Sequence, residues 1–151
     1  SYLLMKVFVF DINDRVHVGS VTGELSITDT ISISIPEGQS YIILDNEDLP
    51  NEPQESWYIE DGEIKIDQQK LIEFNRNQMP TLSKREFRGR LRDANLFDQV
   101  DAYVKASNDG YLQDAWEYAD YFTRLDPFII QVSLDIGLTP ERVDQIWTVA
   151  A

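Results

Sequence analysis

The chain has 151 residues, 42% hydrophobic and 11% aromatic, which is enough for one ordinary domain or two small ones with a real core. Its net charge of −14 opposes contact with nucleic acid or an anionic membrane, and no apolar run approaches the ~20 residues that span a bilayer. It has no cysteine, which excludes disulfide and thiolate chemistry and fits a cytosolic or assembled-particle protein.

Tyr2–Phe10 is rich in Val, Phe and Leu and reads as a strand; it lacks the basic flank and cleavage site of a signal peptide. Asp11-Ile12-Asn13-Asp14 is turn chemistry, and Arg15–Thr22 alternates with Val16, Val18 and Val21 inward, so the pair predicts a hairpin. Gly23 marks the next turn. Leu25–Thr28 and Ile31–Ile35 are expected to be strands, the second from its strict Ile-Ser alternation. After Pro36-Glu37-Gly38, the apolar run Tyr41–Leu44 predicts a strand covered on both faces. Asp45–Ser56, acidic and holding Pro50 and Pro53, is an expected exposed loop. Trp57–Glu60 and Glu63–Ile66 flank Asp61-Gly62, the strongest hairpin signal in the chain. In all, five to seven short strands are expected before Asp67.

Three features of this half invite a chemical reading. His17, the only histidine, sits among alternating valines and is expected on a strand's solvent face, without a nucleophile beside it. Asp45, Glu47 and Asp48 lack the spacing, glycine and closing glutamate of a calcium loop. Trp57 is expected in the core.

Gln68–Met79 predicts a helix ending before Pro80. Beyond Pro80 the apolar spacing changes from two to three and four. Ser83-Lys84-Arg85-Glu86 is a capping box, with Phe87 and Leu91 on one face of the following helix. Arg85, Arg88 and Arg92 share another face; they offer either a solvated basic face or a dock for an acidic partner. Asn95–Ser107 and Leu112–Phe122 read as helices separated by Asn108-Asp109-Gly110. Asp126-Pro127 starts a helix with Phe128, Ile129, Val132, Leu134 and Ile136 central, and Gly137 ends it. Thr139-Pro140-Glu141 starts the last, with Val143, Ile146, Trp147 and Ala150 inward.

The predicted fold is α+β: a small antiparallel β domain over 1–67, a helix and linker over 68–81, and a bundle of short helices over 82–151. Residues 1–67 hold 14 acidic and 3 basic side chains, a balance of −11; residues 68–151 hold 13 and 10, a balance of −3. The basic stretch Lys84–Arg92 is the one local reversal.

Two stretches resemble small tailed-bacteriophage proteins that act in tail or tail-fibre assembly. One is Tyr41-Ile42-Ile43-Leu44-Asp45-Asn46-Glu47-Asp48-Leu49-Pro50 with Trp57 and Asp61-Gly62 following. The other runs from Leu82-Ser83-Lys84-Arg85-Glu86-Phe87 to Gly137-Leu138-Thr139-Pro140-Glu141-Arg142-Val143. The resemblance implies a non-enzymatic role as a tail-fibre assembly chaperone or a small structural tail part, in the host cytoplasm or the virion tail. It supplies no catalytic residues. The residue types place partner binding at Arg85, Arg88, Arg92, Tyr111, Trp116 and Tyr118, because Arg, Tyr and Trp dominate binding energy. The expected partner is a protein, either a phage tail or fibre protein or a second copy of the chain; no metal, cofactor, nucleic acid or membrane is expected. The competing reading is an acidic inhibitor that mimics DNA, encoded by a phage against a host defence or DNA-binding protein. An enzyme is not expected, since the chain has no phosphate-binding glycine loop, no Ser/His/Asp set and no metal-spaced His/Cys set.

Overall fold

A computed structural model describes residues 5–21 and 26–148. The expectations for Tyr2–Leu4, Thr22, Gly23, Leu25 and Ala150 lie outside them. The fold is α+β, with strands gathered in the N-terminal half and helices after it. The chain divides into two compact units, Ser1–Phe74 and Asn75–Ala151.

In the N-terminal unit, β1 (Lys6–Ile12) and β2 (Arg15–Ser20) form the expected hairpin, with Phe8 opposite Gly19 and Phe10 opposite His17. Its turn places both Asn13 and Asp14 at positive φ, a geometry that Asn and Asp accept more readily than other side chains. A third strand, β3 (Ile42–Asp45), pairs antiparallel with β1 on its other side, giving the order β2-β1-β3. Val7, Phe8, Val9 and Phe10 are all buried, so the central strand is covered on both faces.

One cover is a correction to the sequence reading. Ile27–Ser34 is not a strand but a helix, α1. Ser26 caps it by accepting from Asp29 N–H at 3.1 Å, and Thr30 and Ser32 donate their hydroxyls back to carbonyls four residues earlier. The same isoleucines that alternate at spacing two also recur at spacing four. Ile31 and Ile35 are buried with Phe8 and Phe10, Ile27 packs beside them, and Ile33 is 75% exposed. Burial of that stripe outweighs the low helix preference of Ile, Ser and Thr.

The expected two-faced cover of Tyr41–Leu44 is also corrected: β3 is an edge strand, with Tyr41 and Ile43 about half exposed. The loop after it makes two single 3₁₀ turns, Asn46–Asp48 and Gln54–Ser56. The hairpin β4 (Trp57–Glu60) and β5 (Glu63–Ile66) turns as expected, with Asp61 at φ 55° and Gly62 at 72°. It is a separate two-stranded sheet whose β4 lies against β1 and β2. Trp57 is buried and donates its indole N–H to Glu52 O at 2.8 Å.

Helix α2 (Gln68–Asn77) starts on Asp67, whose Oδ1 accepts from Gln69 and Lys70 N–H. The boundary between the units falls inside this helix, after Phe74.

The C-terminal unit contains α3 (Lys84–Asp93), α4 (Phe97–Ala106), α5 (Gly110–Tyr118), α6 (Pro127–Asp135) and α7 (Pro140–Thr148). The capping box is complete: Ser83 Oγ accepts from Glu86 N–H at 3.1 Å, and Glu86 accepts from Ser83 N–H at 3.2 Å. Asp126 caps α6 with Pro127 in its first turn, and Gly137 takes the positive φ that stops it. The helix expected to run through Phe122 stops at Tyr118. Tyr121–Phe122 (β7) instead bridges Leu82–Ser83 (β6), and Asp120 O accepts from Lys84 N–H. Phe87 sits at the centre of the core, its ring 4.7 Å from Phe122, 5.4 Å from Trp147 and 6.3 Å from Trp116. Leu134, expected in that core, is 70% exposed, because α6 already buries Phe128, Ile129 and Val132 on its inner face.

Candidate binding surface

The six residues singled out from sequence separate into three environments. Trp116 is fully buried at 0% exposure, so its assignment to a partner surface is corrected: it is core. Its indole N–H donates to Asp101 Oδ1 at 2.8 Å, and its ring stacks on Phe128 at 6.1 Å. The hydrogen bonds from Lys105 and then from Trp116 hold the Asp101 carboxyl below its ordinary range.

Arg88 and Arg92 lie on this aromatic core. The Arg88 guanidinium is 4.3 Å from the Trp116 ring centre and donates to Trp116 O at 2.7 Å. Arg92 sits 3.9 Å over Phe97. Neither makes an ion pair with Asp93, Asp98 or Asp101; their partners are rings and a carbonyl. Lys84 reaches Glu117 O, and Arg90 spans from α3 to α7, donating to Ile146 O at 3.0 Å and Trp147 O at 2.9 Å. Of the basic stretch, Arg85 is the side chain that stands in solvent without such a contact.

Tyr111 and Tyr118 form the third environment. They are 90% and 77% exposed, and their seven-residue spacing puts them on one face of α5. Tyr121, 67% exposed, follows in β7. Asp109 caps this helix by accepting from Tyr111 and Leu112 N–H.

A cavity of about 420 Å³ lies beside Arg90, Asn95, Arg142 and Gln145. Its cations are already engaged: Arg142 donates to Gln145 Oε1 and Ala94 O, and Arg90 to the end of α7. The cluster that sequence reasoning missed is Arg76–Asp144–Arg124. Arg76 grips Asp144 through Nε and Nη2 at 2.9 and 3.0 Å, and the buried Arg124 adds Nε at 2.8 Å. Burial works against the charged form of Asp144, yet these bonds outweigh it and hold its carboxyl below the usual range.

His17 is exposed, but it lies opposite Phe10, on the sheet face that α1 covers, and stacks on that ring at 5.3 Å, so the expected solvent face is corrected to the margin of a covered one. Among the described residues no group of three or more His, Asp or Glu side chains is placed to hold a metal ion, and no helix is long and apolar enough to cross a membrane. The surface offers aromatic and charged contact. No family model, curated protein or solved structure matches the chain.

Proposed function

We propose that the chain is a non-enzymatic, protein-binding component of bacteriophage tail assembly, a fibre chaperone or a small tail part, acting in the host cytoplasm or the virion tail. The observation behind this reading is the pair Tyr111 and Tyr118, nearly bare on one face of α5 while Trp116 of the same helix is buried. Large aromatic side chains left in solvent add little to the fold and much to an interface. Arg85 adds an exposed cation to the same unit. Arg88 and Arg92 serve the fold through their stacking, so they are unsuitable targets for a binding test.

The test is recovery of partners by tagged protein from infected or prophage-carrying cells. The wild type is expected to retain a tail or fibre protein, and Tyr111→Ser with Tyr118→Ser and Arg85→Glu to lose it at an unchanged melting curve. Recovery of the same partner by that variant would refute the surface, and recovery of a DNA-binding protein would refute the tail role.

A further inference from the structure

The outer edge of β3 has the chemistry of a peptide-binding strand. Asn46 N–H donates to Met5 O at 2.8 Å, which makes Met5 and Asn46 a hydrogen-bonded pair. In an antiparallel ladder such pairs alternate with non-bonded ones, so the next bonded pairs are Val7 with Leu44 and Val9 with Ile42. Ile43 and Asp45 therefore aim their backbone N–H and C=O groups away from β1. Among the described residues no strand pairs with that side of β3.

Side chains beside the edge add a second reason. Ile43 is opposite Phe8 and so lies on the face that α1 covers, yet it remains 46% exposed. A groove of about 390 Å³ opens at the start of β3, lined by Ile31, Ile35, Pro36, Glu37 and Tyr41. A helix beside an unpaired edge, with a groove of mixed apolar and polar lining next to it, can take an extended segment. Its backbone completes the ladder, and its alternate side chains enter the groove.

Charge decides what kind of segment. Glu37 lines the groove, Asp45 ends the strand, and Glu47 and Asp48 follow. Lys6 is the nearby cation, and its Nζ is 2.6 Å from Asp45 Oδ1. Residues 1–67 carry −11, so a second copy would bring like charge to the same edge.

We propose that the outer edge of β3, with the groove beside Tyr41, binds an extended basic peptide segment of a partner protein as a fourth strand. This site is distinct from the α5 surface and holds whether or not the tail reading does.

The test uses the full chain and a fluorescein-labelled nine-residue peptide of alternating lysine and valine. A second peptide of the same sequence is N-methylated at every other residue, which keeps the charge and removes one row of donors. Titration is expected to show binding of the first and at least about tenfold weaker binding of the second. Amide exchange is expected to slow at Ile43 and Asp45 when the first peptide is added. Ile43→Pro, which removes an outward donor and no bond to β1, is expected to weaken binding similarly. Equal binding of both peptides would show a merely electrostatic surface and overturn the proposal. So would absence of binding, or protection of Ile43 and Asp45 by a concentration-dependent dimer without peptide. The paired peptides decide the question even if Ile43→Pro fails to fold.

Discussion

In the C-terminal unit Trp116, Trp147, Phe87, Phe122 and Phe128 share one buried cluster fed by five helices and the short β6–β7 bridge, whereas α1 in the N-terminal unit closes over Phe8 and Phe10 with Ile31 and Ile35. The first is a thick core, in which Phe87 touches Trp116, Phe122 and Trp147, and Phe128 touches Trp116 and Phe122. The second is a thin one, in which a single two-turn helix covers one face of the sheet. The charge differs too, −11 over residues 1–67 against −3 over 68–151. Packing many rings together demands close fit, and a thin acidic layer leaves backbone edges and half-buried side chains at its margin. That contrast explains why the open edge belongs to one unit and the bare tyrosines, standing on a rigid base, to the other.

The comparison is tested most severely at Trp116. Trp116→Ala removes the indole at 0% exposure, leaves the Asp101 carboxylate without its N–H donor and strips Arg88 of its stacking partner. The expected loss is about 4 kcal/mol, read by urea denaturation of the C-terminal unit. A loss below about 1 kcal/mol would mean that the thick core is not tightly packed.

In the thin core the sensitive position is Gly19. A Cβ there would lie 2.0 Å from the ζ carbon of Phe8, whose ring covers the glycine from the opposite strand. Gly19→Val is expected to cost about 2 to 3 kcal/mol by pushing a buried ring out of place. Phe8→Leu in the same background should recover part of it, which a backbone effect at Gly19 would not allow.

Asp144→Asn keeps shape and removes charge. Arg124, 5% exposed, would lose its counter-charge, but Asp144 is 27% exposed and solvent softens the effect to about 2 kcal/mol. The same group predicts a pH dependence. Its folded pKa is depressed, so its stabilising contribution is complete above the ordinary carboxylate value and is lost as pH falls through the folded value. Acid titration of the variant should therefore lack the part of the wild-type decline that lies below pH 3.8, the ordinary aspartate value. The smallest effect is expected at the tyrosines. Tyr111→Ser with Tyr118→Ser should move stability by less than about 0.5 kcal/mol, because neither ring is packed.

What the sequence disclosed follows the range of the interactions involved. The capping box at Ser83, the Asp61-Gly62 turn and the start of α6 at Asp126-Pro127 are built from residues within four positions of each other, and they form as read. The Ile-Ser alternation of Ile31–Ile35 points to a strand, but the isoleucines also recur at spacing four, and the sheet behind them selects the helical period. The three arginines do belong to one helix, but a helical face says nothing of what lies opposite. The rings of Phe97 and Trp116 occupy that space for Arg88 and Arg92. Residue type alone puts Trp116 on a candidate surface, and residue type does not report burial. The Arg76–Asp144–Arg124 cluster joins residues 68 and 20 positions apart, and no local pattern announces it.

The placement of the three tryptophans has an optical consequence. Trp57 is the sole indole of the N-terminal unit, while Trp116 and Trp147 both belong to the C-terminal one, and all three are buried. Emission from Trp57 in a Trp116→Phe, Trp147→Phe background would follow the N-terminal unit alone. The reciprocal Trp57→Phe chain would report the thick core. Each unit thus carries its own built-in fluorophore, and the order in which the two melt can be read without attaching a label to either.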